Sequence, residues 1–172
     1  MLELVEKQMR SFDGKISARN LREYIGGGLV AVIFLWIAFH SPTPLIRAGA
    51  LLVVASGLWI VFYLRSYGRP SAPPDPSQNL ADYQRALVER YDQQIRLLRS
   101  VKFWYLLPMY IGLLVMSVGL AKQHSGPLVL SDFLAPAIYT AIFIALWWLN
   151  EVSAVQRLQN DRAKLLTLIG NQ

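Results

Sequence analysis

The chain contains no cysteine. That removes disulfides, thiol nucleophiles and thiolate-bound zinc or iron–sulfur centres from the chemistry open to it. Histidine occurs only as His40 and His124. No G-x-S-x-G elbow is present. The one glycine run, Gly26-Gly27-Gly28, follows no strand pattern and leads to no Lys-Ser/Thr pair, so a phosphate-cradling loop is not indicated. A secretory signal pattern is also missing: the first apolar run begins near Tyr24, after a mixed-charge segment, and no small-residue cleavage pattern follows it. These absences lead to the expectation of a non-enzymatic protein with no cofactor and no bound metal.

What the chain does have is hydrophobic length. Of its 172 residues 54% are hydrophobic, and they gather in four stretches at 24–39, 45–64, 104–121 and 133–149. The second runs twenty residues with one charge, Arg47, near its end. About 20 apolar residues cross a ~30 Å hydrocarbon layer at 1.5 Å each. No Asp, Glu, Lys or His lies in the middle of any stretch. Proton relays and coupled transporters need such groups at depth, so an independent transporter is disfavoured. Pro108 and Pro136 are expected near the first turns of their helices, where a missing N–H costs least.

Fifteen of the seventeen Lys and Arg residues fall on one side of these stretches, leaving only Arg47 and Lys122 opposite. Positive charge marks the cytoplasmic side of a membrane protein. The expected architecture is therefore all-α and polytopic, with four transmembrane helices in two hairpins and both termini in the cytoplasm of a bacterial inner membrane. The net charge of +6 is explained by topology and by attraction to anionic lipid, and no nucleic-acid partner is expected.

Four units follow from this pattern. Residues 1–23 form a cytoplasmic amphipathic lead-in helix, with Leu2, Val5, Met9, Phe12 and Ile16 on one face. It lies on the membrane surface or packs on another helix, and its mixed charge favours packing. Residues 24–64 form the first transmembrane hairpin, turned by Ser41-Pro42-Thr43-Pro44, and 65–78 a Pro-rich cytoplasmic linker. Residues 79–172 form the second hairpin. Leu80, Tyr83, Leu87, Tyr91, Ile95 and Leu98 make an apolar stripe that runs without a breaker into Phe103-Trp104-Tyr105, which predicts one helix from about 79 to 121. The fourth span continues likewise through Val152, Val155, Leu158, Leu165 and Ile169. Two extensions of matched length predict an antiparallel cytoplasmic stalk, each stripe covering the other. Arg162 interrupts the second stripe, so pairing is expected to loosen there. Asp92 and Arg96 form a possible i,i+4 pair.

Small residues at Ala137, Ala141 and Ala145, and at Gly27 and Ala31, mark expected helix contacts, either among the four spans or at a dimer face. His40, His124 and Asp132 share the opposite side, where interfacial polar roles, and a helix-capping role for Asp132, are preferred to a metal site.

Two further stretches carry a resemblance. FDGKISARNLREY at 12–24 and LLRSVKFWYLLP at 97–108, with the SPTPLIRAG turn between them, resemble a group of bacterial inner-membrane proteins that has no assigned activity. Its Arg-Asn-x-Arg-Glu-Tyr entry to the first span is matched by Arg19, Asn20, Arg22, Glu23 and Tyr24. Its Arg-Ser-Val-x-x-Trp-Tyr-Leu-x-Pro entry is matched by Arg99, Ser100, Val101, Trp104, Tyr105, Leu106 and Pro108. Relatives in that group are often encoded beside extracytoplasmic-function sigma-factor genes, so the resemblance implies a regulatory role. The expected function is binding of another protein by the cytoplasmic helices, through Met9, Phe12, Tyr83, Arg85, Tyr91 and Arg96, with internal packing as the competing role for each. A small oligomeric channel or transport component is the alternative. The expected partners are the bilayer, a cytoplasmic protein and further copies of the chain.

Overall fold

A computed structural model describes residues 2–68, 80–123 and 129–170 of the chain. Among these residues all regular structure is helical: α1 Leu2–His40, α2 Pro44–Tyr67, α3 Leu80–Arg99, α4 Leu107–Ala121, α5 Leu130–Leu149 and α6 Gln156–Gly170. Two short π turns, Lys102–Leu106 and Asn150–Val155, join α3 to α4 and α5 to α6. Four helical segments are long and apolar enough to cross a membrane: Ser11–His40, Pro44–Tyr67, Lys102–Ala121 and Asp132–Thr167.

α2 is the central span, packed against α1 on one side and α4 on the other, while α5 lies against α4. Glycine decides how closely α2 and α4 approach. A Cβ on Gly112 would meet the Val53 backbone nitrogen at 2.9 Å, and one on Gly119 would meet that of Ile46 at 2.9 Å. One on Gly49 would meet the Gly112 carbonyl oxygen at 2.7 Å. Only glycine lets the two backbones touch there, the usual device where apolar solvent supplies no drive for association. Gly27 faces Gly57 of α2, as expected of a contact glycine, whereas Gly26 and Gly28 face open space. Of the two expectations for α5, packing of its alanines among the spans is corrected: Ala137, Ala141 and Ala145 are all exposed in the single chain, as a dimer face also requires. Contact with α4 is made instead by bulkier groups, including Tyr110 against Phe143 at 5.4 Å between ring centres.

The expected single helix from 79 to 121 is interrupted. α3 ends at Arg99, Ser100 is a turn, and the π turn follows. A helix end leaves carbonyls without partners, and here side chains supply them. The Leu97 carbonyl accepts from Ser100 Oγ at 3.0 Å and from Trp104 Nε1 at 3.1 Å. The Leu98 carbonyl accepts from Asn150 Nδ2, across on the other helix, at 2.9 Å. In the π turn the Leu107 N–H reaches back to the Lys102 carbonyl, so Pro108 starts a fresh α register in which its missing N–H is harmless. Pro136 lies inside α5 rather than in its first turn, because the helix already begins at Leu130.

At the other end of the spans, Pro44 opens α2 after an extended Thr43. Gln123 Nε2 donates to Thr43 Oγ1 at 2.7 Å, tying the end of α4 to this turn.

Candidate functional site

Beyond the spans, the apolar stripes of α3 and α6 meet, and α1 joins them. Phe12 and Ile16 of α1, Leu87 and Tyr91 of α3 and Leu165 of α6 form one buried cluster, with Tyr83, Val88 and Leu158 packed around it. Ile95, Leu98 and Val155 continue the packing toward the spans. Each pair of helices also carries an ion pair. Asp13 meets Arg90 at 2.8 Å between α1 and α3, Lys15 meets Asp161 at 3.5 Å between α1 and α6, and Asp92 meets Arg162 at 2.7 Å between α3 and α6. Arg162 therefore ties α6 to α3 instead of loosening it, and Asp92 spends its charge across the interface on Arg162. The Lys15 pair is exposed and contributes little, ~0–1 kcal/mol. The Arg90 side chain is only 3% exposed and also lies over the Phe12 ring, at 5.8 Å, so this pair is shielded from solvent on its Arg90 side.

This packing separates the six residues picked from the sequence. Phe12 and Tyr91 are interior, their rings 4.3 Å apart, so they take part in the core, the competing role expected for them. Tyr83 is half-buried against the same cluster. The side chain of Met9 lies outside the described residues. Arg85 and Arg96 are exposed and do come together. Both line a groove of about 490 Å³ with Gln84, Glu89 and Asp92, over an apolar floor of Val88 and Leu166. Spacing along α3 explains this, because positions 85, 88, 89, 92 and 96 share one helix face. Leu166 was invisible from sequence: it falls between the stripe positions of α6, and only the turn of α6 against α3 delivers it.

A second constellation sits where the spans meet these outer helices. The Gly68 carbonyl at the end of α2 accepts from Asn20 Nδ2 at 3.2 Å and from Gln94 Nε2 at 3.3 Å. Arg19 Nη2 donates to Asn20 Oδ1 at 3.0 Å and to Gln94 Oε1 at 3.1 Å. The result is a closed ring joining α1, α2 and α3. A guanidinium can only donate and a carbonyl can only accept, so each bridging residue must do both, which an amide does. The ring also fixes which way each amide faces. Gln94 is 0% and Asn20 6% exposed, and a positive group near the end of α2 complements the helix dipole.

Beside the ring lies a cavity of about 260 Å³ lined by Arg19, Glu23, Trp104, Tyr105 and Asn150 among others. Trp104 stacks on Tyr63 at 4.7 Å, and Tyr24, Tyr63 and Tyr105 pack around a buried cluster of Ile60, Leu64, Leu97 and Trp104. Aromatic rings at this level match the belt that membrane proteins place at the lipid–water boundary. The residues of the two sequence motifs, far apart in the chain, meet here.

The opposite end offers little chemistry. His40 Nδ1 lies 2.9 Å from the carbonyl of Trp36 in its own helix, and its ring stacks on that residue. Asp132 accepts from the Val129 N–H at 2.9 Å as a capping group. His124 lies outside the described residues. Among the described residues no group of three His, Cys, Asp or Glu side chains is placed to hold a metal ion. Compared with protein-family models, curated proteins and solved structures, the chain matches none.

Proposed function

We propose that this chain is an integral protein of a bacterial inner membrane whose cytoplasmic helices bind another protein, as a regulator or an accessory subunit rather than as an enzyme. In this reading α1 with α2 and α4 with α5 form two transmembrane hairpins, and both termini are cytoplasmic. The outer part of α1, with α3 and α6, then stands as a helical stalk on the cytoplasmic face. The charge asymmetry supports the orientation.

The observation that carries the binding role is the groove holding Arg85 and Arg96. It combines fixed charges of both signs with an apolar floor, and the bundle beneath it has its own buried core. Its exposed charges, Arg85, Glu89 and Arg96, lie outside that core. A helix or extended segment with mixed charge and one or two apolar anchors suits it.

A photo-crosslinking amino acid at position 85 or 96, in the full chain in its native membrane, tests this. The expected result is a discrete adduct with a second protein, lost when Glu89 and Arg96 are exchanged for residues of opposite charge. Adducts of equal yield from Lys122, on the far side, would overturn the reading.

A second reading, a small oligomeric channel or transport component, is favoured by α5, whose span segment is 0% buried in the single chain. Ionic conductance from the purified protein in liposomes would support that reading.

A further inference from the structure

α4 gives one face to α2 through Gly112 and Gly119, which turns the opposite face toward α5. There Tyr110 and Phe143 meet edge to face and prop the helices apart. The gap is an open, largely apolar groove of about 300 Å³, walled by Leu106, Leu107, Phe143, Ile144 and Trp147. Its deep end is closed by a polar latch. Thr140 Oγ1 donates its single proton to the Pro136 carbonyl at 2.8 Å, so Tyr110 donates to Thr140, at 2.7 Å. Lys102 stands at the mouth, eight residues from Tyr110 and so ~12 Å away along the helix.

The cation at this mouth rests against aromatic rings rather than a carboxylate. Lys102 Nζ lies 5.1 Å from the Phe103 ring and 5.6 Å from the Trp147 ring, and among the described residues it has no carboxylate within ion-pair distance. Arg99, one turn away, is already engaged with Glu151 at 3.7 Å. An apolar slot between two candidate membrane-crossing helices, beneath an ammonium with no ion-pair partner among the described residues and two aromatic rings, has the polarity of a single phospholipid. The slot accepts an acyl chain and the ammonium a headgroup charge.

We propose that the α4–α5 groove is a specific site for one anionic phospholipid, with its chain in the slot and its phosphate on Lys102. This rests only on α4 and α5 crossing the membrane and is independent of any protein partner. One lysine near a membrane surface is worth about a five-fold preference for an anionic lipid. The groove also explains why α5 meets α4 through aromatic rings rather than through its alanines.

The full chain in nanodiscs of equal phosphatidylglycerol and phosphatidylcholine, released and weighed by native mass spectrometry, tests the proposal. The expected result is one retained lipid per chain, phosphatidylglycerol by about five-fold over phosphatidylcholine. Lys102→Gln should abolish that preference while some lipid is still retained, and Lys102→Arg should keep it. Ile144→Trp, which narrows the slot at an exposed position, should lower retention of both lipids, with helical content by circular dichroism unchanged. Equal retention of the two lipids by the unaltered chain, an unchanged preference in Lys102→Gln, or lipid-free dimers that show a second copy filling the groove would each overturn it.

Discussion

The ring of Arg19, Asn20, Gln94 and the Gly68 carbonyl is closed by two residue types that no apolar periodicity would single out. Gln94 sits on α3 between stripe positions 91 and 95 and is fully buried all the same. It is there because three helices converge on the end of α2, where a carbonyl needs donors. Gln94→Leu keeps the volume and removes both bonds. Leaving the buried partners short should cost ~1–3 kcal/mol, read as a lower midpoint in denaturant unfolding in detergent. Gln94→Glu restores the acceptor for Arg19 but sets a carboxylate oxygen against the Gly68 carbonyl, so it should also destabilise. Unchanged midpoints for both would mean that the ring does not contribute. Glycine in the spans offers a paired contrast. Gly112→Leu drives a side chain into Val53, while Ala141→Leu adds bulk to an exposed position. The first should lose at least ~1–3 kcal/mol and the second almost nothing, by the same unfolding assay.

The apolar runs made the existence of the spans legible, because lipid solvent demands length and tolerates few charges. The amphipathic stripes of α1, α3 and α6 were legible for the same reason in reverse. The interruption at Ser100 was not. Nothing in Leu97-Leu98-Arg99-Ser100 breaks a helix by propensity, and the freed carbonyls find their donors in Ser100, Trp104 and, from another helix, Asn150. Nor was the close approach of α2 and α4 at Gly49, Gly112 and Gly119, which depends on how the spans are rotated about their axes. The alanine repeat of α5 was the more visible pattern and pointed elsewhere. α6 gives a prediction at this scale. Leu165 is 0% exposed and its neighbour Leu166 40%. Leu165→Ala should cost ~2–5 kcal/mol and Leu166→Ala well under half of that, measured by thermal unfolding. Equal losses would mean that α6 does not pack with its Leu165 face against α1 and α3.

For the whole molecule the proposed orientation makes a direct prediction, and the lack of native cysteine makes it clean to test. In intact cells a membrane-impermeant maleimide should label Lys122→Cys, while Arg85→Cys and Thr167→Cys should react only after the membrane is opened. All three positions are exposed in the fold. The reverse pattern would invert the orientation and move the groove to the opposite face. The two π turns also have a consequence for the molecule as a whole. Each holds one more residue than an α turn would, so the outer helix beyond it is out of phase with its span by about 100°. A single helical wheel drawn through α3 and α4 together therefore mixes two unrelated faces. Because the α3 side and the α6 side each carry such a slip at the level where Asn150 meets Leu98, deleting one residue from one turn alone would set the two outer helices at odds, rotating one stripe away from the other while both spans stayed where they are.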